Sequence, residues 1–204
     1  MLLKKSLLII ILFTTFIISG PKNNDAWGNE DRFQTIRLLS NRTSLKINEQ
    51  FQIIAQYDVT NGNKTTAIGF KIFYNSQYFE LLHTEYYDIE LFQTPEEIED
   101  YHDDDDDIAT NTYISIGWLS PSKIWPYDKT PPFNALTLTM KVKDNSESKM
   151  THFNAIITNF DINHEPRVNN LQIPVYNSFI SDINNDGKTN MIDAIQLFQH
   201  LIKN

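Results

Sequence analysis

Between Ser44 and Val59 the side chains alternate, with Leu45, Ile47, Phe51, Ile53, Ala55, Tyr57 and Val59 falling on one face and Gln52, Gln56 and Asp58 on the other. A period of two belongs to half-buried β-strands, because successive side chains of an extended chain point to opposite faces. The run is broken by Asn48-Glu49-Gln50 and again by Asn61-Gly62-Asn63, both of which read as turns. The same alternation returns in Ala67 to Tyr74 through Ile68, Phe70, Ile72 and Tyr74, and further β-like segments are Thr112 to Leu119, Ala135 to Val142 and Thr151 to Asn159. Turn clusters separate them at Asn75-Ser76, Ser120-Pro121-Ser122, Thr130-Pro131-Pro132 and Asp144-Asn145-Ser146. No convincing helical period occurs before residue 188, so the expectation is a mainly β chain, a two-sheet sandwich or jelly roll.

Residues 1–20 stand outside this pattern. Lys4 and Lys5 precede an uncharged run from Leu7 to Ser19, the layout of a secretory signal. The apolar part, Leu7 to Ile18, is shorter than the roughly 20 residues of a spanning helix, and an uncleaved anchor is the alternative. Small residues at Ser19 and Gly20, or Ala26 further on, are candidate cleavage points. Residues 21–35 are polar at first and read as a flexible leader. Export of a bacterial type, to the medium or the cell surface, is therefore expected. The chain has no cysteine, so neither disulfides nor thiolate metal sites contribute to it.

With 17 Lys plus Arg against 26 Asp plus Glu, the net charge is −9, and no basic cluster suggests nucleic acid. Nine of those acids lie in Glu96 to Asp107, which ends in five consecutive aspartates. This stretch reads either as a solvated loop between strands or as a second calcium site whose mutual repulsion a cation would relieve. Trp118 sits in an alternating strand and is expected in the core, whereas Trp125-Pro126 falls in a turn and is the better candidate for an exposed sugar platform. The five histidines show no paired zinc spacing, and no Gly-x-Ser-x-Gly, His-Glu-x-x-His or phosphate loop occurs. Catalysis is not expected.

The most specific segment runs from Asp182 to Asp193. A hard cation such as Ca2+ takes six to eight oxygens, which a twelve-residue loop supplies from positions 1, 3, 5, 7, 9 and 12. Those positions are Asp182, Asn184, Asp186, the backbone carbonyl of Lys188, Asn190 and Asp193, with Gly187 at the sharp turn. An Asn- and Asp-rich helix cap is the plainer reading of the same residues. Met191, Ile195, Phe198 and Ile202 then recur at helical spacing, which predicts an amphipathic helix of about three turns. The segment before the loop, Pro174 to Ser181, reads as extended, so an entering helix is missing.

Asp182-Ile-Asn-Asn-Asp-Gly-Lys-Thr-Asn190 with Asp193, Ile195, Leu197 and Leu201 resembles one repeat of a dockerin, a module that tethers secreted proteins to cohesin partners through calcium. Dockerins usually carry two repeats; this chain has one. The β region in turn resembles a cohesin: Asn48 to Ala55, Ala67 to Leu81, Ile114 to Ser120, Trp125-Pro126 and Leu136 to Val142 follow that family's order. The resemblance implies a cohesin-like jelly roll or β-sandwich of about nine strands over residues 36–177 and a dockerin-like, EF-hand-like repeat with one α-helix over 178–204. It implies calcium-dependent, non-catalytic assembly with a cohesin- or dockerin-bearing protein partner, in a setting of polysaccharide degradation. A carbohydrate-binding module, with polysaccharide as ligand, is the alternative that the shared jelly roll leaves open.

Overall fold

The computed structural model describes residues 32–144, 149–176 and 191–202. The residues expected to form a secretory signal and, up to Asn190, those expected to form a calcium loop lie outside them. Eleven strands occur among the described residues: β1 Phe33–Ser40, β2 Leu45–Lys46, β3 Gln50–Val59, β4 Ala67–Tyr74, β5 Phe79–Tyr86, β6 Leu91–Glu99, β7 Thr112–Leu119, β8 Phe133–Val142, β9 Lys149–Phe160, β10 Glu165–Asn169 and β11 Leu171–Tyr176. One helix, α1, covers Met191–Ile202, where the helical spacing places it. The strands β4 and β7 have the expected bounds, β8 begins two residues earlier than expected, and β9 begins two residues earlier and ends one later. The strand β1 begins at Phe33, inside the stretch assigned to the leader, because Phe33, Thr35 and Arg37 alternate with buried Gln34, Ile36 and Leu38.

The strands form two sheets, ordered β10-β1-β3-β8-β5 and β2-β11-β9-β4-β7-β6. Their apolar faces meet in one core: Ile36, Phe51, Ile53, Tyr57, Leu138 and Met140 from the first sheet pack with Ile68, Phe70, Ile72, Ile116, Trp118 and Phe153 from the second. This is a sandwich, and the alternation is what builds it, since each strand has an apolar side to bury. A bulge interrupts the pairing of β3 with β8, where Ala55 faces Leu136 and Gln56 faces Asn134. Ala135 is the extra residue, which is why Ala135 and Leu136 are both buried although they are neighbours.

The route of the chain follows a jelly-roll logic. Of the connections between successive strands, only that from β6 to β7 stays within its sheet; every other one crosses to the opposite layer. The edge strands β6 and β10 carry Pro95 and Pro166, which lack the amide a further strand would need.

Trp125 departs from the expectation of an exposed aromatic. It is fully buried, with ring centroids 4.6 Å from Tyr57, 5.5 Å from Trp118 and 5.7 Å from Phe133. The amide of Thr65 donates to its carbonyl at 2.9 Å, so the turn after β7 folds inward across the end of the sandwich. A Trp-Pro pair in a turn says nothing about which side the ring takes; the partners that capture it come from three distant strands and loops. Trp118 is buried as expected, and its Nε1 donates to the Tyr87 carbonyl at 2.6 Å. Trp125→Ala is expected to lower stability by about 3–5 kcal/mol, the usual cost of deleting a large buried aromatic. Urea unfolding would measure it, and a loss under about 1 kcal/mol would contradict this packing.

Candidate functional site

The acidic stretch is positioned by the one connection that stays in its sheet. Glu96 to Glu99 belong to β6 rather than to a loop, and Asp100 to Asn111 form the link to β7. The loop closes on itself where the Asp100 amide donates to the Asn111 carbonyl at 2.9 Å. Asn75 Nδ2 donates to the Ala109 carbonyl at 2.8 Å and ties it to the turn after β4. Asp103 and Asp106 have φ of 54° and 56°, a left-handed conformation that Asp tolerates better than most side chains.

From this base the loop folds back as a strap over the outward face of the second sheet. On β4 the inward positions are Ile68, Phe70, Ile72 and Tyr74, so Lys71 and Phe73 point outward. Lys71 Nζ meets Asp104 Oδ2 at 2.5 Å and lies 4.0 Å from the Tyr113 ring centroid. On β9, Asn154 Nδ2 donates to Asp105 Oδ2 and to Asp107 Oδ2, both at 2.9 Å. His152 Nδ1 is 2.7 Å from Asp107 Oδ2. Thr110 Oγ1 donates to Asp105 Oδ1 at 2.9 Å. Phe73 pairs in register with Asn154 on one side and Tyr113 on the other, and it is fully buried despite facing outward.

Asp104, Asp105 and Asp107 are thus held by side chains of the sheet. Lys71, His152 and Asn154 supply the donors. Their signal in the sequence was faint: each occupies a polar position of an alternating strand, and nothing local tells which polar face will be covered.

The electrostatics follow the contacts. The Lys71 ammonium holds the Asp104 carboxyl below its ordinary range. Burial opposes ionisation of Asp107, but hydrogen bonds from His152, the Ala109 amide and Asn154 outweigh it and hold its pKa down. Asp103 moves the other way, raised by partial desolvation and by repulsion from Asp105, Asp106 and Asp100. Asp100, Asp103 and Asp105 bring carboxylate oxygens within 4.8 Å of one another, the cluster among the described residues whose spacing a metal ion would need.

Of the residues expected to ligate calcium at the C-terminus, Asp182, Asn184, Asp186, Lys188 and Asn190 lie outside the described residues. Asp193 is described: it stands in the first turn of α1 and is buried, with 2% of its surface exposed. Carboxylates are seldom buried to that extent without a partner. Met191, Ile192 and Ile195 on the same helix are exposed.

No family model and no curated protein matches the chain. Solved structures do. The likeness is to cohesin modules. One is the seventh type I cohesin of ScaB from Pseudobacteroides cellulosolvens, at 12% identity over 72% of this chain and 94% of that one, with a TM-score of 0.49. Another is the cohesin module of a family 33 glycoside hydrolase from Clostridium perfringens, at 12% identity over 72% and 98% of the two chains and a TM-score of 0.49. A third is CaCohA2 from Clostridium acetobutylicum, at 14% identity over 70% and 92%, with a TM-score of 0.47.

The strap should respond to its anchors and to acid. His152→Ala with Asn154→Ala is expected to speed hydrogen exchange at the amides of residues 104–110 while those of β4 and β7 keep their protection. Because Asp104 and Asp107 are depressed in the folded state, their contribution is full above about pH 4 and is lost as pH falls through their lowered values. The wild-type strap should therefore open below about pH 4; unchanged exchange there would contradict these contacts.

Proposed function

We propose that the chain is an exported, non-catalytic assembly protein whose cohesin-like sandwich is followed by a single dockerin-like, calcium-binding repeat. The observation that carries this reading is the placement of the cohesin-like segments. Asn48 to Ala55 forms the turn and first half of β3, Ala67 to Leu81 spans β4 and enters β5, Ile114 to Ser120 follows β7, and Leu136 to Val142 follows β8. They support the reading because, in the family's order, they fall on β3, β4, the start of β5, β7 and β8 of one sandwich.

The partner in this reading is a protein bearing a dockerin or a cohesin. The outward face of the second sheet offers it a surface. Gly69 pairs with Gly117 there, and Phe92 lies across Gly117, where a Cβ would come within 2.6 Å of the ring. Phe92 and Leu119 are about half exposed beside these glycines. An apolar centre next to a charged strap is the composition of many protein interfaces.

Calcium would be held by Asp182, Asn184, Asp186, the Lys188 carbonyl, Asn190 and Asp193, the oxygen-bearing positions of the twelve-residue loop. In this arrangement the binding free energy of the ion becomes ordering free energy for the segment, and the apolar face of the helix is presented to a partner. A sugar-binding reading loses its better aromatic candidate with the burial of Trp125.

Calorimetric titration with calcium tests the proposal. Asp186→Ala is expected to weaken binding by at least about a hundredfold, since it removes one of the charged oxygens on which affinity depends; full affinity in that variant would overturn the site. Retention on insoluble polysaccharide that survives chelation would favour the carbohydrate-binding module instead.

A further inference from the structure

At the end of the sandwich that Trp125 closes, four segments meet around a cavity of about 260 Å³ lined by Arg32, Asn63, Lys64, Lys123, Asp161, Asn163 and His164. Arg32 precedes β1, Asn63 and Lys64 follow β3, Lys123 follows β7, and the last three residues connect β9 to β10. Three permanent cations share this cavity with one carboxylate, in a chain whose net charge is −9.

The one carboxylate is already engaged. Asp161 Oδ2 accepts from the Thr66 amide at 3.0 Å and hydroxyl at 2.9 Å, and Oδ1 accepts from the Asn163 amide and Nδ2, both at 3.0 Å. Burial alone would raise this carboxyl, but these donors hold it well below the carboxylate range. The Asp161 amide donates to Gln34 Oε1 at 2.6 Å, and its carbonyl accepts from the His164 amide at 2.9 Å. Asp161 is thus the keystone of the wall, each of its oxygens already accepting two hydrogen bonds.

His164 supplies the second observation. Its side chain is about 4% exposed, yet neither Nδ1 nor Nε2 has a hydrogen-bond partner, the nearest being Asp161 Oδ1 at 3.5 Å from Nδ1. Leaving a buried polar group unpaired costs roughly 1–3 kcal/mol, so a ring in this state has donor capacity to offer a ligand. Lys123 adds a third: its φ of 57° is a left-handed conformation that an unbranched non-glycine residue adopts at a cost, and it is held there by its amide donating to Ser120 at 2.9 Å. Lys64 Nζ is braced by the Pro126 and Tyr127 carbonyls. Arg32 and Lys123 are exposed at the rim.

We propose that this pocket binds a tetrahedral oxyanion, sulfate or phosphate, with Lys123, Arg32 and Lys64 supplying charge and the His164 ring a buried donor. The volume is below the roughly 300–1,000 Å³ of sites that enclose whole small molecules, so the pocket takes the anionic group, free or at the end of a larger molecule. A metal ion is disfavoured by the three cations. The pocket is independent of the calcium repeat, and it would stand if the assembly reading failed.

The test is sulfate titrated into the full chain in chelator, at constant ionic strength against chloride, read by the ring signals of His164 in NMR. A saturable shift is expected with sulfate and not with chloride. Arg32→Ala and Lys123→Ala, both at exposed positions, should each weaken binding by about tenfold, the scale of one charge-assisted hydrogen bond, and Lys123→Arg should largely restore it. Repeating the titration with inorganic phosphate and with a phosphate monoester separates a free ion from a terminal group: a tighter monoester identifies the larger molecule as the source. A response equal to that of chloride, or undiminished binding in both alanine variants, would overturn the site.

Discussion

The end of the sandwich depends on one indole. Trp125 comes from a turn and belongs to neither sheet, yet its ring packs against Tyr57 of β3, Phe133 of β8, Trp118 of β7 and Tyr87 after β5. These residues join both layers, so the ring fills the gap where the sheets would otherwise splay. Aromatic contacts of this kind add to the burial they accompany, by about 0.5–1.5 kcal/mol per pair. The same capture draws residues 120–127 down onto the loop after β3, through the bridge between Thr65 and Trp125. Lys64 and Lys123 arrive on one rim as a result. Packing inside thus sets where charge collects outside.

How much of this the sequence made legible depended on whether a residue's neighbours in space were also its neighbours in the chain. The strands β4 and β7 could be bounded to the residue because their alternation is strict and turns flank both. The strand β6 could not, since Glu96, Glu97 and Glu99 look like loop residues and become strand only by pairing with Ser115, Ile114 and Thr112 of β7. Ala135 and Leu136, buried side by side at the bulge, break the alternation for a reason that lies in β3. Trp125 shows the same limit more sharply, because its burial is decided by partners between roughly eight and seventy positions away. The helix α1 was legible from its own spacing, whereas the loop expected to bind calcium before it lies, up to Asn190, outside the described residues.

Charge on the chain is segregated, and the two sides of the segregation are stabilised differently. The acidic strap is held by contact: Lys71, His152 and Asn154 reach it from β4 and β9, and the ionised form of Asp104 and Asp107 is favoured by those contacts. The basic pocket is held open by geometry, with Asp161 spent on backbone and hydroxyl donors and His164 left without a partner. A surface arranged in this way has more than one means of choosing what approaches it, since acidic and basic features lie on separate elements of the fold.

The sheet order also constrains when the fold can be completed. The strand β1 is paired on one side with β3 and on the other, in parallel, with β10, so that Phe33 lies opposite Glu165. A chain appearing N-terminus first cannot close its first sheet until residues 165–169 have followed. Nearly every other pairing likewise waits for a strand from the far side of a crossing, and topologies dominated by such distant contacts fold slowly, in milliseconds to seconds. The hairpin of β6 and β7 is the exception that can form locally, and it is the one that carries the strap.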